Sequence, residues 1–235
     1  MGGTGAEGSG LALRFAKAGA RVRIGSRESG KAETAAARIA VLAVSGEVTG
    51  HANPDAVSGA GIVVLTVPLV AQIEILKSIR DRLETGTILV DATVPLEIAI
   101  RRRLSRTLTL WDGSAAQQAA RLLPAGIAVV SAFHSLSAEA LAHLDHRVDC
   151  DTLICSDHVE AKATVCELAA MIPGVRGIDA GPLAVREGDA SLVIPDGAGG
   201  PAFLVYDNFR TIMKWNKSTY FAAAVGYLAD SMARG

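Results

Sequence analysis

Short runs of aliphatic and β-branched residues alternate along most of the chain with longer stretches rich in Ala and Leu. The runs Arg21–Ile24, Gly61–Thr66, Thr87–Asp91, Ala128–Ser131, Thr152–Cys155 and Arg176–Ile178 predict strands, and Glu47–Thr49 a weaker one. Helices are expected between them at Gly8–Ala18, Lys31–Val44, Ala71–Leu83, Ser114–Leu123, Ser137–Leu144 and Val159–Ile172. The segment Ile62-Val63-Val64-Leu65 is apolar at every position, as in a strand buried on both faces. The fold class is therefore α/β, a doubly wound parallel sheet that binds ligands at the carboxyl ends of its strands.

The texture changes after Pro182. Asp196–Pro201 is a turn cluster, and Phe203, Tyr206, Phe209, Trp215, Tyr220, Phe221 and Tyr227 all lie beyond it. A last helix, Ser218–Met232, would align Phe221, Val225 and Leu228. Two units follow, residues 1–185 and a C-terminal appendage of residues 186–235. With 23 basic and 24 acidic residues the net charge is −1, so no basic excess points to nucleic acid. No apolar run approaches the ~18 residues of a membrane span, and the N-terminus lacks the pattern of a signal peptide. Cys150, Cys155 and Cys166 are odd in number and lack zinc-ligand spacing, so free thiols in a cytoplasmic protein are expected, with Cys155 and Cys166 as buried apolar thiols. His143, Asp145, His146 and Asp149 match no metal site either, and no metal is expected.

Gly3-Thr4-Gly5-Ala6-Glu7-Gly8 fits G-x-G-x-x-G and leads directly into a predicted helix. Such glycines allow a tight turn and close approach of backbone to a pyrophosphate, and the helix N-terminus offers its unpaired N–H groups. A site for NAD usually has an acidic residue about 20 residues further on, at the end of the next strand. This chain has Gly25-Ser26-Arg27 there, with Lys31 a turn later. Two cations and a hydroxyl suit a 2′-phosphate, so NADP(H) is preferred; a solvated helix start with ordinary surface charges is the simpler alternative.

Gly2-Gly3-Thr4-Gly5, Gly8, Gly10-Leu11-Ala12-Leu13-Arg14, Gly25-Ser26-Arg27 and Lys31 together resemble the NADPH:coenzyme F420 oxidoreductases. The likeness continues through Leu65-Thr66-Val67-Pro68, Val129-Val130-Ser131-Ala132-Phe133-His134 and Asp179-Ala180-Gly181-Pro182-Leu183. It implies a Rossmann-like reductase that passes hydride directly between NADP and the deazaflavin coenzyme F420, and a homodimer. Alignment of two flat rings matters more in such a reaction than acid–base side chains. By motif, Gly3, Thr4, Gly5, Gly8, Ser26, Arg27 and Lys31 would hold NADP, with Thr66 and Pro68 beside it. His134 would lie at the deazaflavin as the catalytic-site residue, although a strand-end histidine is also a common packing residue.

Two departures complicate this reading. Family members carry an apolar strand before the glycine loop, whereas this sequence opens at Met1-Gly2-Gly3. That strand is central in a doubly wound sheet, so either the natural start lies upstream or Ala190–Ile194 or Ala202–Tyr206 fills the gap. The segments Gly200–Phe209, Trp215–Tyr220 and Ala224–Asp230 resemble the end of the B-type lytic murein transglycosylases, without the upstream region that carries their catalytic glutamate. The chain thus reads as a fusion of two fragments. Its expected function is hydride transfer between NADPH and F420; the alternatives are reduction of a flavin or ferric acceptor, or a nucleotide-binding remnant without turnover.

Overall fold

The computed structural model describes residues 1–43, 46–95 and 110–183, and the backbone of two further strands, Ser191–Val193 and Phe203–Val205. The expected alternation is present, with element ends displaced by a few residues. Strand β1 (Val22–Ser26) pairs in parallel with β2 (Val48–Ala52). A separate five-stranded sheet runs β3 (Ile62–Leu65), β4 (Ile88–Asp91), β5 (Ala128–Ser131), β6 (Cys150–Cys155) and β7 (Val175–Gly181). The helices are α1 (Ala6–Lys17), α2 (Ser29–Leu42), α3 (Asn53–Val57), α4 (Leu69–Ile79), α5 (Ala115–Leu122), α6 (Ala138–Ala142) and α7 (Val159–Ala170).

The sheet is mixed where an all-parallel one was expected. β3, β4 and β5 are parallel to one another, as are β6 and β7, but Ser131 meets Cys155 in an antiparallel rung between β5 and β6. A parallel crossover needs a helix that carries the chain back along the sheet. Between β5 and β6 the helix is only the five-residue α6, too short for that return.

Both faces of the larger sheet are covered. Val90, Val130, Ile154 and Val175 pack under Leu11 and Phe15 of α1, Leu141 of α6 and Val165 of α7. On the other face Val63, Leu65, Leu89 and Val129 meet Val57 of α3, Ile75, Leu76 and Ile79 of α4, and Ala116 and Ala119 of α5. A third cluster joins Ala12, Leu13 and Ala16 of α1 to Ile24 of β1 and to Ala32, Ala36 and Ile39 of α2. Helix α1 therefore straddles the two sheets.

β1 and β3 lie in separate sheets. Between β1 and β3 lies a cleft of about 360 Å³, lined by residues of α1, β1, α3 and β3. Among the described residues only Met1 enters it in strand-like fashion: its nitrogen donates to the Val64 carbonyl (2.7 Å), and the Thr66 N–H donates to the Met1 carbonyl (2.9 Å). The two segments expected to fill the gap do not. β8 (Ser191–Val193) and β9 (Phe203–Val205) pair antiparallel with each other, Ser191 opposite Val205, as a sheet of their own. Pairing two segments so near in sequence costs less chain entropy than threading either strand between β1 and β3. The expected helix Ser218–Met232 lies outside the described residues.

Candidate functional site

The glycine loop connects the Met1 rung to α1. Gly2 adopts φ +79°, open to glycine, and Gly5 N–H donates back to the Gly2 carbonyl at 3.0 Å. A Cβ on Gly8 would lie 2.5 Å from both the Gly2 carbonyl oxygen and Thr66 Oγ1, and one on Gly3 would lie 2.9 Å from Cγ2 of Ile24. The glycines thus let the loop lie flat against α1, β1 and the end of β3 at once. Gly5 caps α1 without any side-chain hydrogen bond, which leaves the first-turn N–H groups to a ligand. Thr4 is exposed beside them. Glu7, half-buried in the same turn, is held above the ordinary carboxyl range by desolvation.

At the carboxyl end of β1, Ser26 is half-buried and Arg27 exposed. Among the described residues no carboxylate pairs with Arg27, whereas Lys31 Nζ sits 2.7 Å from Glu28 Oε1 in an exposed pair. Of the two cations expected at this corner, Arg27 is the one that needs no exchange of partner to meet an anion. Close by, Asn53 Oδ1 is buried without a hydrogen-bond partner, at the junction of β2 and α3 beside Gly25. Sequence reasoning missed this acceptor; its only signal was an Asn-Pro pair after a weak strand.

Thr66 follows β3 and donates through Oγ1 to the Met1 carbonyl at 3.0 Å, fixing the loop over Gly8. Pro68 is exposed and caps α4. Beneath this corner Asp91, at the end of β4, is wholly buried. It accepts from Gln72 Nε2 (2.9 Å) and from the Thr93 N–H (3.1 Å), while Gln118 Nε2 donates to Gln72 Oε1 (2.6 Å). Desolvation pushes the Asp91 carboxyl up to about 6 against these hydrogen bonds. This network was also missed; an acidic residue ending an apolar strand, Val90-Asp91, was its available signal.

His134 follows β5, immediately after Phe133, a buried residue in the left-handed region at φ 70°. That strained backbone is held by packing on Phe15 and by the Phe133 N–H donating to Thr152 Oγ1 at 2.9 Å. The His134 side chain presents a face to solvent, yet the protein crowds its ring enough that desolvation pushes the imidazole down to about 4, opposed by a hydrogen bond with the Thr93 backbone. Thr93 Oγ1 in turn donates to the Val67 carbonyl at 3.3 Å. Through Thr93, His134 and the Thr66–Pro68 turn belong to one constellation.

Other residues singled out by sequence fall elsewhere. Arg14 is buried and donates to four carbonyls at the end of α6, those of Ala140, Leu141, His143 and His146, so it ties α1 to α6. No metal-binding group of His, Cys, Asp or Glu occurs among the described residues. All three cysteines are free and half-buried, so Cys155 and Cys166 are less enclosed than expected, and both feel the charges of the Lys162–Asp179 pair.

The first 95 residues match the family model described as NADP oxidoreductase coenzyme F420-dependent. Residues 143–230 match the model of the transglycosylase SLT domain, a match whose first part falls on β6, α7 and β7. The chain is 48% identical over 186 residues to the F420-dependent NADP reductase of Methanothermobacter thermautotrophicus, covering 78% of this chain and 80% of that protein. It is 39% identical over 187 residues to the enzyme of the same name from Methanocaldococcus jannaschii, covering 78% and 82%. Among solved structures, a hypothetical protein from Sinorhizobium meliloti superimposes with a TM-score of 0.62 at 27% identity, covering 76% of this chain and 82% of that one. At 48% and 39% identity over about four-fifths of each of these relatives, the chain belongs to the family of F420-dependent NADP reductases.

Proposed function

We propose that the chain transfers hydride between NADPH and coenzyme F420, with Gly3, Thr4, Gly5, Gly8, Ser26, Arg27 and Lys31 holding the dinucleotide and Thr66 and Pro68 flanking it. The observation that carries the reading is the cradle itself, in which Gly2, Gly3 and Gly8 are packed too closely for a Cβ and the N-terminus of α1 is left bare. The buried, unpartnered Asn53 Oδ1 beside β1 supports it, because a ribose hydroxyl is a donor that could satisfy it. NADPH supplies two electrons and one proton as hydride, F420 takes them up, and a solvent proton completes the reduced deazaflavin.

The residues of this chain then bind, orient and exclude water. The bare helix end takes the pyrophosphate. Arg27 takes the 2′-phosphate, where a planar guanidinium can bond two oxygens at once. His134 is uncharged at neutral pH and acts by position and hydrogen bonding, beside the acceptor ring. A homodimer and a cytoplasmic location are part of the same proposal. No described helix is long and apolar enough to cross a membrane, and sedimentation velocity tests the dimer.

Paired titrations with NADPH and NADH test the assignment. NADPH should bind more tightly, and Arg27→Ala should weaken NADPH by about tenfold, the worth of one charge-assisted contact, while leaving NADH unchanged. Equal loss for both nucleotides would remove Arg27 from the 2′-phosphate.

A further inference from the structure

The buried polar network beneath the Thr66–Pro68 turn holds no part of the nucleotide, yet its last link touches both halves of the constellation above it. Asp91 is wholly buried at the end of β4, and its two oxygens serve different partners. Oδ2 accepts from Gln72 Nε2 at 2.9 Å and Oδ1 from the Thr93 N–H at 3.1 Å. Gln72 is equally without exposure and is held by further bonds. Its Nε2 also donates to the Ala115 carbonyl at 3.0 Å, and its Oε1 accepts from Gln118 Nε2 at 2.6 Å. The carboxylate is thus anchored to α4 and α5 through one oxygen and holds a single backbone N–H with the other. A buried carboxylate is a costly way to fill a core, because an apolar side chain of similar size carries no desolvation penalty. What distinguishes it is the fixed place that it gives Thr93.

Thr93 uses that place twice. Its hydroxyl donates to the Val67 carbonyl at 3.3 Å, in the middle of the Thr66–Pro68 turn. Its backbone hydrogen-bonds the imidazole of His134, which follows β5. β4 lies between β3 and β5, with Asp91 opposite Leu65 on one side and Ser131 on the other. Thr93 therefore stands between the turn that ends β3 and the loop that ends β5. Those are the places assigned above to NADP and to the deazaflavin. Hydride transfer depends on the alignment of the two rings, so a shift of Thr93 changes the spacing on which the rate depends.

We propose that Asp91 is a positioning residue for hydride transfer: anchored by Gln72, it fixes Thr93, and Thr93 sets His134 against the Thr66–Pro68 turn. The inference rests on the hydride-transfer reading above and adds to it the device that spaces the two ring sites. Asp91, being wholly buried, acts only through Thr93.

Asp91→Asn keeps the shape and turns one of the two acceptors into a donor. Gln72 cannot turn over to meet it, because its Nε2 is needed at the Ala115 carbonyl. The amide oxygen then goes to Gln72, the NH2 group faces the Thr93 N–H, and Thr93, past the end of the strand, is the partner that moves. The first readout is NMR of the nucleotide-free full chain at pH 8, where the Asp91 carboxyl is ionised. The nuclear Overhauser contact between the His134 ring and Thr93 should be lost in Asp91→Asn, and exchange of the Thr93 amide should speed up by about tenfold, the worth of one charge-assisted bond. The second is single-turnover reduction of F420 by NADPH. Asp91→Asn should slow hydride transfer by about tenfold or more while the NADPH Kd stays within about twofold. Thr93→Val keeps the N–H on Asp91 and removes only the bond to Val67; it should slow transfer by about tenfold, and Thr93→Ser should restore it. An unchanged His134–Thr93 contact in Asp91→Asn would overturn the link. Equal losses of rate and of NADPH affinity, or no rescue by Thr93→Ser, would overturn the spacing role. A wild-type chain that transfers no hydride would overturn the reaction assigned above, and the NMR contact would then decide the Asp91–Thr93 link by itself.

Discussion

The two sheets are built from similar residues yet are held in different ways. Within β3–β7 each strand is hydrogen-bonded to its neighbours, and Leu65, Leu89, Val90, Val130 and Ile154 are essentially without solvent exposure. Among the described strands β1 and β2 have only each other. They are joined to the body by the packing of α1 and α3 and by the Met1 rung, with a cleft where a strand ladder would run. The proposed nucleotide site lies across this seam: Gly8 and Thr66 belong to the body, Ser26 and Arg27 to the smaller unit. Local stability in the β1–β2 unit should therefore be low in the free protein and rise when a ligand bridges the seam.

The largest expected effect is in the body. Leu89→Ala removes a fully buried side chain from β4 and should cost ~2–5 kcal/mol of global stability, measured by urea unfolding. Ile24→Ala in β1 should leave that global transition less affected and weaken NADPH instead; equal effects of the two on global unfolding would erase the distinction between the units. Arg14→Met comes next. It strips the guanidinium from four carbonyls at the end of α6 and should cost about 3 kcal/mol, detaching α1 from the body.

Asp91 gives a pH signature of the body. Its raised folded pKa favours folding when protonated, and that contribution is lost as pH rises through about 6. The smallest effect on stability is that of Gly8→Ala, whose Cβ must push the Gly2 backbone. It should cost ~1–3 kcal/mol, yet abolish measurable NADPH binding by lifting the loop from Thr66.

Much of this arrangement was legible in the sequence. The 2- and 3.6-residue periodicities placed six strands and six helices near their observed positions, because Val- and Ile-rich runs flanked by glycine have few other solutions. The glycine loop could be read because each glycine answers a separate contact, at Ile24, at Gly2 and at Thr66. The five-residue α3 left too little periodicity to detect, although Asn53-Pro54 marks its start. The reversal of β6 depends on how far α6 can carry the chain, which composition does not reveal. The Asp91–Gln72–Gln118 network joins positions distant in sequence, and nothing local distinguishes Gln72 from a surface glutamine. The strand-like segments of the appendage were recognised, but their choice of partner is a competition between loop closures.

The most direct test of a nucleotide site built across a seam is native-state hydrogen exchange with and without NADPH. Amides of β1 and β2 should open at a free energy several kcal/mol below those of β4 and β5 in the free protein, and saturating NADPH should close most of that difference. If both units exchange together and NADPH protects neither preferentially, the seam does not exist in solution and the account fails.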